Sequence, residues 1–294
     1  MHDVETVYSV PLLLHSQKVD KTILKKLKIN TKQAQLNDWK RVVKAKLLPE
    51  KEVTVSFVGK YTELKDSYKS INEALEHAGI QNKAKVNINF VEAEQITSKN
   101  VRRVLKKSDA ILVPGGFGER GIEGMILACK YARENNVPYL GICLGMQIAI
   151  IEYARNVKKI RYANSTEISE KCKDPVIDLM TSQKEIINKG GTMRLGAWDC
   201  EIEKNTKSYK CYKKKLISER HRHRYEFNNN YTDRIFDDKF VIAGSNPDTK
   251  LVEIVENIDH PWFVGVQFHP EYQSTVKNPH PLFVSFVEAC KKTI

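Results

Sequence analysis

Cys143 stands in Gly141-Ile142-Cys143-Leu144-Gly145, between an apolar run at 137–140 and a second, helix-like run at 146–153. A cysteine between glycines at a strand-to-helix corner is the thiol version of a nucleophile elbow. The sharp turn needs small flanking residues and lifts the sulfur clear of the sheet. The helix that follows points its positive end at the sulfur and favours the thiolate. Such a cysteine attacks a carbonyl carbon and forms a thioester. The ordinary alternative is a cysteine buried at a tight turn, since free cysteine is among the most buried residue types.

A thiol nucleophile needs a base, and Val266-Gln267-Phe268-His269-Pro270-Glu271 supplies one. His269 takes the proton and later activates water, while Glu271, two residues on, fixes the imidazole tautomer. His221, His223 and His260 compete for this role. The first two alternate with Arg220, Arg222 and Arg224, surroundings that resist imidazolium and suit contact with an anion. The run Pro114-Gly115-Gly116-Phe117-Gly118 follows an apolar segment, Ala110 to Val113. Gly116-x-Gly118-x-x-Gly121 has the letters of a dinucleotide fingerprint. That fingerprint belongs to the first βαβ unit and needs an acidic residue after the next strand, and neither condition holds. The competing reading is a turn with a free backbone N–H on the sheet edge where Cys143 sits, able to stabilise an oxyanion. No phosphate loop of the G-x-x-x-x-G-K-[ST] type is present, because Gly59-Lys60 lacks the preceding glycine.

The elements that must position these residues are legible from Val53 onward. Strand and helix signals alternate: strands at 53–58, 85–91, 110–113 and 138–142, helices at 64–77, 94–106, 122–134 and 144–154. That order predicts an α/β fold with a mostly parallel open sheet and helices on both faces. After Lys158 the pattern loosens into long loops and short strands at 240–243, 252–255 and 263–266. Residues 1–52 have a different texture: an apolar start (Val7 to Leu14), then a Lys-rich segment at 18–51 with helical spacing. They read as a linker or helical arm from a preceding domain, leaving 53–294 as the catalytic domain.

The chain has 294 residues, 41% hydrophobic and 29% charged, ordinary for a globular protein. No stretch approaches the ~20 apolar residues of a membrane span, and the start has no secretory pattern. Six cysteines without a C-x-x-C pair argue against zinc and disulfides and fit a reducing cytoplasm. The net charge is +12. Residues 204–224 carry nine Lys/Arg against Glu219 alone and read as a solvated basic loop. No nucleic-acid-binding pattern accompanies them.

Together these residues resemble the class I (triad-type) glutamine amidotransferases, and among them the C-terminal glutaminase domain of CTP synthases. The resemblance covers essentially the whole chain. It is carried by His2-Asp3-Val4 with Tyr8-x-Val10-Pro11-Leu12-Leu13, by Val58 to Tyr61, Pro114 to Gly118 and Gly141 to Gln147. Ala163 to Glu167, Gly191 to Gly196, Arg220 to Glu226 and Gln267 to Glu271 complete it. The Met193 to Gly196 and Glu219 to Glu226 runs point to CTP synthase specifically.

The resemblance implies roles. Cys143 attacks the glutamine side-chain amide, His269 is base and then acid, and Glu271 orients it. The N–H groups of Gly116 and Leu144 form the oxyanion hole, and Gln147, Glu167 and Arg224 hold glutamine. The chain itself would need no cofactor or metal. In the family, ATP and Mg²⁺ act in a synthetase domain on UTP, GTP is an allosteric activator, and the whole enzyme forms tetramers and filaments. Glu119 and Arg120 read either as part of a GTP-responsive lid or as surface charges. Two alternatives are a stand-alone γ-glutamyl-type hydrolase and an assembly module using 18–51 or 204–215.

Overall fold

The computed structural model describes residues 3–169, 171–179 and 193–292. Gly191 and Thr192 of the expected family motif lie outside the described residues. The chain opens with α1 (Val10–Ser16), α2 (Val19–Lys26) and α3 (Asn37–Leu47). Then follow β1 (Lys51–Gly59), α4 (Lys69–Gln81), β2 (Ala84–Glu92), α5 (Val101–Leu105) and β3 (Ala110–Val113). Next come α6 (Ile122–Glu134), β4 (Tyr139–Ile142), α7 (Leu144–Asn156), β5 (Ala163–Ser165), β6 (Asp174–Leu179) and β7 (Arg194–Ile202). The chain closes through α8 (Lys207–Tyr212), β8 (Leu216–His223), β9 (Tyr225–Phe227), α9 (Thr232–Ile235), β10 (Phe240–Ser245), β11 (Val252–Asn257), β12 (Phe263–Val266) and α10 (Pro281–Cys290).

Among the described residues, nine strands form one sheet in the order β2-β1-β3-β4-β12-β11-β10-β7-β8, and β5-β6-β9 form a small second sheet. The first five strands of the large sheet run parallel and the remaining pairings are antiparallel. Every residue of β3, β4 and β12 is buried, as expected where helices cover both faces of a parallel sheet. Side chains from α6 and α7, such as Met125, Ile148 and Ile151, fill one face. Those from α4 and α10, such as Leu75, Phe283 and Phe286, fill the other. Each such side chain contributes roughly 1.5–3 kcal/mol of burial.

The site owes its existence to strand order. β3, β4 and β12 are adjacent and parallel. Gly115, Cys143 and His269 follow their carboxyl ends by one to three residues. Three distant stretches of sequence therefore meet at one edge, where ligands of parallel sheets bind.

Three local expectations are corrected. The helix predicted at 94–106 is a 3-10 turn (Ala93–Gln95) followed by the short α5. Asn100 accepts from the Thr97 N–H (2.8 Å) and donates to the Gln95 carbonyl (2.8 Å), replacing the bonds a continuous helix would make. The helical arm at 18–51 is two helices with an intervening non-helical stretch. The basic segment 204–224 is not a loop: it contains α8 and β8, with alternate β8 residues buried.

α3 and the turn that carries Tyr8 lie on α4. Tyr8 is buried, its hydroxyl donating to Glu73 (3.4 Å), and Lys46 pairs with Glu76.

Candidate active site

Cys143 adopts φ 52° and ψ −100° immediately before α7. For a residue with a Cβ this costs about 1–3 kcal/mol and persists only where its surroundings dictate it. They do here. Its N–H donates to the Val266 carbonyl (2.7 Å), and its own carbonyl accepts from Met146 and Gln147 at the start of α7. A Cβ at Gly141 would lie 2.5 Å from the Gly145 backbone, and one at Gly145 would lie 2.2 Å from the Val113 carbonyl oxygen. Both glycines are therefore required for helix and sheet to approach this closely. The Tyr139 hydroxyl donates to the Gly145 carbonyl (2.9 Å) and holds the first turn of α7 from beneath.

His269 Nδ1 lies 2.8 Å from Glu271 Oε1, and both residues are buried. With the carboxylate on Nδ1, the other ring nitrogen is buried and left without a hydrogen-bond partner among the described residues, in the cavity it shares with Cys143. Burial opposes a charged imidazole. The neighbouring Cys143 sulfur and the Glu271 carboxylate outweigh it and push His269 up to about 11. The His269 N–H is anchored on the Arg220 carbonyl (2.8 Å).

Gly115 touches both members of this pair: a Cβ there would meet His269 Cε1 at 2.8 Å and Cys143 Cβ at 3.5 Å. Gly115→Ala should thus lower turnover by about 10²-fold or more by displacing the imidazole, with little change in thermal midpoint. A fully active variant would refute this geometry. A Cβ on Gly116 would meet Leu144 Cδ2 at 3.3 Å, so the two expected oxyanion-hole residues are neighbours. Cys143, Gly115, Gly116, Arg222, His269 and Glu271 line one cavity of about 230 Å³.

The expected glutamine-binding residues Glu167, Arg224 and Gln147, and the oxyanion-hole residue Leu144, are not among those that line this cavity. Glu167 Oε1 accepts from the Gly118 N–H (2.8 Å). Burial raises its pKa, against the pull of the Gly118 bond, Lys60 and Arg224. Arg224 therefore stands in the field of Glu167. Gln147 is buried, donating to the Tyr225 carbonyl (3.0 Å) and to Gln267 (3.3 Å), and does not line the Cys143 cavity. Arg120 pairs with Glu94 (2.7 Å) over the Tyr61 ring. Among the described residues, no group of three or more His, Cys, Asp or Glu side chains could hold a metal ion, and no described helix is long and apolar enough to cross a membrane.

Sequence reasoning left three residues without a role. Gln267 places its amide 3.7 Å from Cys143 Sγ. Arg222 lines the cavity, and Lys60 contacts the glycine-rich turn. Gln267 and Arg222 each lie two residues from a better candidate in a strand-like run, the one signal that places them on the same side.

The histidines that competed for the base role are elsewhere. His260 bonds the Ala132 carbonyl (3.1 Å) and the Trp262 N–H (3.2 Å). His221 and His223 face inward on β8, 2.7 Å apart, while their arginine neighbours point to the opposite face. Their partners are buried carboxylates, Glu253 (3.6 Å) and Glu226 (3.5 Å), both paired with the buried Arg194. Burial and the neighbouring charges hold His221 down to about 2 and His223 to about 3.

Burial also pushes the Glu226 carboxyl up from 4.5 to about 8 despite Arg194. The folded state thus resists ionisation that the unfolded chain accepts, so this group costs stability as pH rises through that window. Glu226→Gln removes the cost. Its thermal midpoint relative to the parent should improve from about pH 5 to about pH 8, and a flat difference would contradict it.

The family model of the class-I glutamine amidotransferases matches residues 63–289. The chain belongs to this family. Its resemblance to CTP synthases extends further. It is 54% identical over 287 residues to the CTP synthase of Caldanaerobacter subterraneus subsp. tengcongensis, covering 98% of this chain and 53% of that protein. It is 53% identical over 288 residues to that of Cytophaga hutchinsonii, with the same coverage. The chain spans about half the length of these relatives. Among solved structures, the Trypanosoma brucei CTPS glutaminase domain with bound acivicin superimposes with a TM-score of 0.77. The two are 39% identical, over 82% of this chain and 94% of that one. The amidotransferase fold and the resemblance to a CTP synthase glutaminase domain, both read from sequence, are borne out.

Proposed function

We propose that this chain is the glutaminase half of a CTP synthase, hydrolysing L-glutamine to glutamate and ammonia through a thioester on Cys143. The observation that carries this reading is the run Cys143, His269, Glu271 at the ends of adjacent parallel strands. The thiolate adds to the amide carbon of glutamine, and the N–H groups of Gly116 and Leu144 take the charge that develops on oxygen. His269, as imidazolium, gives its proton to the departing nitrogen, and ammonia leaves. A water then loses a proton to His269 as it attacks the thioester, and glutamate departs with the thiolate restored. Glu271 keeps the imidazole in the required tautomer throughout.

Glu167 receives the α-ammonium of glutamine, and the guanidinium of Arg224 forks onto its α-carboxylate. Gln147 acts from behind, through Gln267 and the Tyr225 carbonyl. Residues 1–52 form the arm that links residues 53–294 to a synthetase domain. In the whole protein, we infer that the ammonia aminates UTP activated with ATP and Mg²⁺, that GTP stimulates glutaminase turnover, and that the enzyme works in the cytoplasm as a tetramer or filament.

Glutamate release from glutamine by this chain, with and without GTP, tests the reading. Release is expected, and a chain inert toward glutamine in both conditions would count against it. Glu271→Ala should lower turnover by about 10²–10⁴-fold with a smaller change in KM, since it removes tautomer control rather than a substrate contact.

A further inference from the structure

The glycine-rich turn is gripped by two opposite charges. Lys60, at the end of β1, is 5% exposed. Its ammonium donates to the carbonyls of Phe117 (2.9 Å) and Gly118 (2.5 Å). On the other side, Glu167 accepts from the Gly118 N–H (2.8 Å). The Phe117 carbonyl and the Gly118 N–H belong to a single peptide group. That plane therefore has a cation on its oxygen and an anion on its nitrogen, and cannot rotate without breaking both contacts.

The peptide between Gly115 and Gly116 has little of its own to fix it, because two glycines flank it and neither has a side chain to restrict rotation. Its orientation decides where the Gly116 N–H points. The Lys60 backbone is itself held, since its carbonyl accepts from the Tyr68 hydroxyl. Surrounding a buried ammonium with two carbonyls and a nearby carboxylate also accounts for a lysine here, where a bare charge would be costly.

We propose that Lys60 is a positioning residue for the oxyanion hole: with Glu167 it clamps the Phe117–Gly118 peptide and so keeps the Gly116 N–H directed at the Cys143 carbonyl adduct. This rests on the glutaminase reading above. It also gives Glu167 two tasks. One oxygen holds the turn, and the other remains for the substrate ammonium, so bound substrate and oxyanion hole share one carboxylate. Lys60 never touches glutamine, so its loss should reach turnover and leave binding.

The test compares two alkylations with turnover. Attack on a glutamine-derived chloroketone builds an oxyanion at the carbonyl, whereas attack on iodoacetamide displaces iodide at a saturated carbon and builds none. In Lys60→Met, kcat for glutamate release should fall about 10²-fold with KM changed less than about threefold. Chloroketone inactivation should slow by a similar factor, while iodoacetamide alkylation of Cys143 stays within about twofold of the parent. Lys60→Arg, keeping charge and donors, should recover most of the lost rate.

Unchanged kcat, or equal slowing of both alkylations, would overturn the proposal, the latter because a merely loosened site slows both. Should Lys60→Met not fold, Lys60→Gln, which loses the charge at similar size, carries the same comparison. Failure of the underlying reading looks different: the parent itself would neither release glutamate nor react with the chloroketone faster than with iodoacetamide.

Discussion

Cys143→Ala is expected to lower glutamate release by about 10⁴-fold or more while leaving the fold intact. The activity loss follows from covalent chemistry: without sulfur there is no thioester, and water alone must attack an unactivated amide. The fold is spared because alanine keeps the Cβ and the backbone bonds to Val266, Met146 and Gln147. The side chain's polar contact beyond His269 is the long one from Gln267. No other cysteine is placed to substitute. Burial pushes the thiols of Cys129, Cys172, Cys200, Cys211 and Cys290 up, away from reactivity. Glutamate assay and thermal melt on the same preparation separate the two effects. Retained turnover would remove the basis of the mechanism.

A larger stability effect is expected at Gly145 than at any catalytic residue. An alanine there puts its Cβ 2.2 Å from the Val113 carbonyl oxygen, and both partners are backbone. Neither can move alone. Relief requires α7 to withdraw from the sheet, which would open the packing of Met146 and Ile148 and drag Cys143 from His269. A loss of about 3 kcal/mol or more is expected, seen as a large drop in thermal midpoint or as insoluble protein. Gly118 is the control. Its φ of +75° disfavours alanine, but nothing lies within 4 Å of its Cβ position, so the cost should be about 1 kcal/mol. Equal stability of parent and Gly145→Ala would show that the elbow packs differently.

The triad could be read in the sequence because each member sits in a short local pattern. Gly-x-Cys-x-Gly encodes the elbow, and His-Pro-Glu places base and carboxylate within one turn. Both patterns follow apolar runs that became β4 and β12. Their pairing across the sheet was not in the sequence: no local rule places β12 beside β4, more than a hundred residues earlier.

The arginine–histidine alternation pointed to histidines that resist protonation, and they do, but not because of those arginines, since one-dimensional neighbours lie on opposite faces of a strand. Burial and the nearby Arg194 keep His221 and His223 uncharged, rather than the arginines between them. Lys60 was visible only as a failed phosphate-loop lysine and as part of the Val58 to Tyr61 match, without a role, since its partners lie on the turn after β3. The broken helix at 94–106 had a local cause in Asn100, a residue whose amide competes with the backbone.

The central claim is that glutamine's carbonyl carbon becomes bonded to the sulfur of Cys143. Acid-quenching the chain during turnover and mapping the adduct by peptide mass spectrometry tests this most directly. The mechanism predicts a γ-glutamyl thioester on the peptide containing Cys143, lost in Cys143→Ala and accumulated when water attack is slowed. Continued glutamate release with no adduct on that peptide, or with the adduct on another cysteine, would contradict it.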